Sequence, residues 1–164
     1  MLTVSTSKVD DTGWDEPELT KALIDEMLAH GVRIRVKGRG FSMYPFIQTG
    51  DMLLIEPKTA AELKIGDLVL FRRSSGMTIV HRLIKRNGSE SLITRGDGLW
   101  YNDPPILPEQ VLGRVIEVER NGHRRRLDSP LNNTVSVVWA RFSPISQWLR
   151  PVIRPFWRLY LRFR

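Results

Sequence analysis

Between residues 32 and 120 the chain offers a succession of short apolar runs separated by turn residues, with no helical periodicity between them. Val32-Arg-Ile-Arg-Val36 alternates strictly, the period-2 pattern of a strand with one buried face. Met52–Ile55, Asp67–Phe71, Thr78–Ile84, Ser91–Thr94 and Val111–Glu119 follow, rich in Val, Ile and Leu. Turn chemistry such as Thr49-Gly50-Asp51 and Asn87-Gly88 punctuates them. Strands so closely spaced predict a mainly β fold, a largely antiparallel sheet that is barrel-like or folded.

The flanks read differently. Asp15 to Ala29 has Pro17 in its first turn, acids near its start, and Leu19, Leu23, Ile24, Met27 and Leu28 at helical spacing. Gly31 follows as a stop. Beyond a linker at Asp128–Asn133, residues 134–164 hold six arginines, seven aromatics and no acid. Pro144, Pro151 and Pro155 are expected to divide that tail into short helical pieces. Three segments are therefore expected: an N-terminal helical segment 1–31, a β domain 32–128 and a basic aromatic tail 129–164.

Charge narrows the partners. The net +7 divides as −5 over residues 1–30, +6 over 31–130 and +6 over 131–164. An acid-free segment of arginines and aromatics suits an anionic membrane surface. Packing on the sheet or on a partner subunit is the ordinary alternative, and nucleic acid is the least favoured partner. The first residues carry no basic stretch followed by an apolar run, and no window of 18 apolar residues occurs. Cytoplasmic residence is the expectation, with the tail as a peripheral attachment at the inner membrane face.

The chain has no cysteine, and its three histidines show no ligand spacing. Thiol chemistry, disulfides and cysteine-based zinc sites are excluded, and neither a metal nor a cofactor is expected. Acyl transfer remains open to a serine. In Gly38-Arg-Gly-Phe-Ser-Met-Tyr-Pro45 two glycines precede Ser42 and a proline follows it. Such a turn can present a hydroxyl beside free backbone N–H groups. His81 shares a strand face with Ile79 and Leu83, so its imidazole is expected to be partly buried. Imidazole titrates near neutral pH and supplies the base a serine needs. Asp97 and Asp103 follow a strand, and either carboxylate can orient the imidazole. Taken singly, a loop serine, a strand histidine and a turn aspartate are more often structural; their joint occurrence carries the reading.

Together these blocks resemble the type I signal peptidases. The resemblance rests on Gly40-Phe-Ser-Met-Tyr-Pro45, Thr49-Gly-Asp51, Lys64-Ile-Gly-Asp-Leu-Val-Leu-Phe71, Val80-His-Arg82, Arg95-Gly-Asp97 through Asp103, and Gly113. It is closest to the archaeal and endoplasmic-reticulum branch, where a histidine stands in place of a lysine base. It implies Ser42 as nucleophile, its N–H in the oxyanion hole, His81 as general base, and Asp103 or Asp97 as the assisting acid. Phe41, Met43 and Pro45 are the implied substrate-binding positions. The implied fold is a bent β core shared with LexA-like self-cleaving repressor domains. The chain departs from the pattern at Gly98, where the family usually has Asn, and at Asn102, and its hydropathy leads one to expect no transmembrane anchor. The implied activity is serine endopeptidase cleavage of a peptide or protein precursor. The alternative is a LexA-like regulatory or peptide-binding module.

Overall fold

A computed structural model describes residues 18–127. Residues 1–17, the linker and the tail at 134–164 with its expected membrane-surface role lie outside the described residues. Helix α1 (Glu18–Ala29) is followed by β1 (Ile34–Lys37), β2 (Met52–Glu56), β3 (Leu68–Arg72), β4 (Thr78–Asn87), β5 (Ser91–Arg95), β6 (Val111–Arg120) and β7 (His123–Arg126). Short 3-10 turns occupy Ala60–Glu62 and Pro108–Gln110. All pairings are antiparallel in one sheet ordered β1-β2-β6-β3-β4-β5, with β7 also on β6. The fold is mainly β, as the strand pattern predicts.

Helix α1 ends where Gly31 adopts φ +77°. The Gly31 N–H donates to the Leu28 carbonyl and the Val32 N–H to that of Met27, which pairs otherwise orphaned carbonyls of the last turn. Ile24 and Leu28 turn into the core, whereas Leu23 and Met27 face outward. The apolar stripe of the helix is thus wider than the face the sheet covers.

Strand β3 explains the continuous run Leu68-Val-Leu-Phe71. Leu68 and Leu70 join Ile24, Leu28, Met43, Ile47 and Val80 in one core. Val69 and Phe71 join Ile79, Leu83, Leu92 and Ile106 in a second core on the other face. A strand covered on both sides has no polar face to alternate with. Each of these side chains contributes about 1.5–3 kcal/mol by leaving water.

Register shifts at Leu54/Ile55, Leu70/Phe71 and Leu83/Lys85 bend the sheet. At Gly113 a Cβ would lie 2.5 Å from the Glu56 carbonyl oxygen, so β6 passes too close to β2 for any side chain there. Strand β4 runs to Asn87, three residues past the predicted Ile84, because Arg86 and Asn87 pair with Leu92 and Ser91 across the turn. Strand β7 has no counterpart in the sequence reading. His-Arg-Arg-Arg126 is exposed throughout and has no apolar alternation. Pairing with Glu117–Arg120 of β6 makes it a strand.

Candidate active site

The loop between β1 and β2 carries Ser42 and is closed at its base by backbone. The Gly38 N–H donates to the Asp51 carbonyl at 2.7 Å, and the Gly50 N–H to the Gly38 carbonyl at 2.9 Å. Asp51, from the Thr-Gly-Asp block, accepts from the Gln48 N–H at 2.8 Å and from Arg120 Nε and Nη2 at 2.7 Å each. Burial opposes its ionisation, but the Arg120 and Gln48 bonds outweigh that and hold the carboxyl below its ordinary range. Met43 and Ile47 sink into the core and anchor the loop from beneath. Ser42 is left at its partly exposed crest.

His81 lies in the buried part of β4, at 0% exposure, with its ring edge-on to Phe71. Its Nδ1 is 2.6 Å from Asp103 Oδ2. Asp103 also accepts from Thr94 Oγ1 at 2.7 Å and from Arg73 Nη2 at 2.5 Å, while its own N–H donates to the Thr94 carbonyl. Burial raises the cost of charging Asp103. Hydrogen bonds from His81 and Thr94, with the charges of His81 and Arg73, outweigh it and hold the carboxyl below its ordinary 3.8. An ionised carboxylate only accepts, so Nδ1 carries the proton, and whenever the ring is neutral Nε2 is its acceptor.

That Nε2 is buried and has no hydrogen-bond partner among the described residues. It faces the serine loop across Gly96. A Cβ on Gly96 would lie 2.5 Å from the Ser42 carbonyl oxygen and 3.0 Å from His81 Nε2, so both atoms crowd one point. The Gly98 N–H donates to the same Ser42 carbonyl at 2.7 Å. A Cβ at Gly98 would stand 2.7 Å from the Phe41 carbonyl oxygen, which accounts for glycine where the resemblance leads one to expect Asn. No backbone carbonyl among the described residues takes the Ser42 N–H.

Asp97 is engaged elsewhere. Arg82 Nε and Nη2 hold its two oxygens at 2.7 and 2.6 Å, and Arg82 Nη1 donates to the Gly66 carbonyl at 2.8 Å. The Arg82 guanidinium also lies over the Phe46 ring at 5.3 Å. Arg82 pairs with Arg95 across β4 and β5, and the charge of Asp97 acts on both. Burial lowers the Arg95 guanidinium from its ordinary range, and the charge of Asp97 works against that. Of the two acids, only Asp103 touches the imidazole.

A groove beside Ser42 is lined by Gly38, Gly40, Met43, Leu53, Thr78 and Val80, among others. Met43 therefore belongs to its wall. Phe41 is exposed at the crest, and Pro45 is not among the lining residues. Strand β5 pairs with β4 only from Arg82 onward, so the outer edge of Thr78–His81 has no strand neighbour among the described residues. Sequence reasoning missed Arg73 and Thr94. Only the His-Arg block hinted at Arg82, whose parity sets it on the face opposite His81.

Among the described residues no group of three potential metal ligands occurs and no helix is long and apolar enough to cross a membrane. No curated protein and no solved structure matches the chain. A profile of the Peptidase S24-like family matches residues 9–116, which takes in Ser42, His81, Asp97 and Asp103. The bent antiparallel sheet, the serine loop and this match agree: the chain belongs to the Peptidase S24-like family.

Proposed function

We propose that the protein is a serine endopeptidase in which Ser42 is the nucleophile, His81 the general base and Asp103 the acid that orients it. The single observation that carries this is the placement of His81. Its Nδ1 is fixed on a buried carboxylate, and its unpartnered Nε2 faces the Ser42 turn. The family match supports a serine peptidase fold, and the Ser-His pairing rests on this geometry.

In this mechanism an extended peptide lies along the open edge of β4 beside the groove and gains main-chain hydrogen bonds there. Ser42 Oγ bonds to the scissile carbonyl carbon as its proton passes to His81 Nε2. The oxyanion takes the Ser42 N–H. The C–N bond then breaks, and the leaving amine receives the proton from His81. Water repeats the sequence on the acyl-enzyme and releases the acid. Asp103 stabilises the imidazolium without itself taking the proton.

The test compares wild type with Ser42→Ala on a panel of internally quenched, leader-bearing peptides, each also run with full-length chain to detect self-cleavage. Cleavage lost in Ser42→Ala is expected. Equal cleavage by both proteins overturns the assignment, and cleavage confined to the chain itself would mark a LexA-like self-cleaving module instead.

A further inference from the structure

Thr78 opens β4 and lines the same groove as Ser42. It is 1% exposed, and its Oγ1 is buried with no hydrogen-bond partner among the described residues. A strand threonine commonly bonds a neighbour on its sheet face, and a buried hydroxyl left unmade is costly. Strand alternation places the Thr78 side chain with Val80, on the face opposite Ile79 and His81. Met43, Ile47, Leu53, Ile79 and Val80 make most of the groove wall apolar, and Arg39 also lines it. The backbone edge alongside it is the one that β5 leaves unpaired.

We infer that Thr78 is a specificity-determining residue, whose hydroxyl reads an uncharged hydrogen-bonding side chain, Ser or Thr, on the bound peptide. This rests on the peptidase reading above and adds the class of substrate. A charged side chain does not suit the site. One neutral hydroxyl, on a residue that is itself 1% exposed, cannot repay the desolvation of an ammonium or carboxylate. Ser and Thr carry both a donor and an acceptor, which matches a hydroxyl in either role. Thr78 stands three residues from His81 along β4, so at about 3.3 Å per residue the residue it reads lies roughly three positions from the scissile bond.

The experiment profiles full-length protein on a peptide library randomised over four positions on each side of the cleaved bond. Wild type, Thr78→Ser and Thr78→Val are compared by kcat/KM on matched peptides bearing Ser, Ala or Val at the selected position. Wild type and Thr78→Ser are expected to prefer Ser over Ala by about tenfold, the value of one neutral hydrogen bond. Thr78→Val should lose that preference or reverse it toward Val. Absence of a polar preference in wild type, or its persistence in Thr78→Val, overturns the inference, and the wild-type profile decides even if Thr78→Val fails to fold. Cleavage that survives Ser42→Ala would instead overturn the underlying peptidase assignment.

Discussion

Asp97 and Asp103 lie six residues apart in one loop system, and their neutralisation should have opposite signatures. Asp103→Asn keeps the side-chain shape but removes the charge that fixes the imidazole tautomer and stabilises imidazolium. Its Nδ1 contact is 2.6 Å, with both side chains almost wholly buried, so no water can substitute. A loss of about 10⁴ in kcat is expected for a base left in the wrong tautomer. Stability should change less, because the Arg73 side chain that Asp103 pairs is 29% exposed and can turn to solvent. Asp97→Asn removes the anion from a bidentate pair whose side chains are 3% and 2% exposed. Arg82 cannot reach water, and a buried charge deprived of its partner costs about 3–5 kcal/mol. That is a large share of the about 5–15 kcal/mol that holds a domain together. Urea unfolding followed by circular dichroism, with kcat on the best cleaved peptide measured in parallel well below the melting temperature, separates the two. If Asp103→Asn retains near wild-type kcat while Asp97→Asn loses about 10³ or more at unchanged stability, the assignment of the acids is wrong.

Two further outcomes follow from the same geometry. Gly96→Ala would press a methyl against the Ser42 carbonyl and His81 Nε2, and relieving it must move the serine backbone. A displacement near 1 Å predicts about a 10²-fold fall in kcat, measured as peptide cleavage or as the rate of labelling at Ser42 by a serine-directed probe. Acid should weaken the fold with a defined sign. Asp51 and Asp103 are both held below 3.8 when folded, so their contribution is complete above that value and is lost as pH falls through the folded pKa values. Urea midpoints should be level from neutral pH down to about pH 4 and drop below it, and less so in Asp103→Asn.

Much of the architecture could be read along the chain. Strands β1, β2, β5 and β6 announce themselves because one-sided burial imposes alternation, as in Ile34 and Val36 against Arg35 and Lys37. The stop at Gly31 was legible because only a residue that tolerates positive φ closes that turn cheaply. Strand β7 was not, since its arginines carry no burial signal and its backbone is ordered by a neighbour. Nor was the outward turn of Leu23 and Met27, because apolar spacing shows where a core face can form and not how much of it the sheet covers.

At the site the division is sharper. Residue chemistry by itself removed a thiol nucleophile and left serine open, and the resemblance pointed to a histidine and a nearby carboxylate as its partners. They left Asp97 and Asp103 equivalent, because both follow the same strand within one loop. The tertiary structure gives them different partners through parity and register. His81 and Arg82 are adjacent in sequence but project to opposite faces of β4, where Asp103 meets the imidazole and Asp97 the guanidinium. Arg73 and Thr94, remote from one another in the chain, then converge on Asp103 because β3, β4 and β5 are neighbours in the sheet. Hydrogen bonds depend on positions in space to a few tenths of an ångström, and linear order carries that only after the sheet has formed.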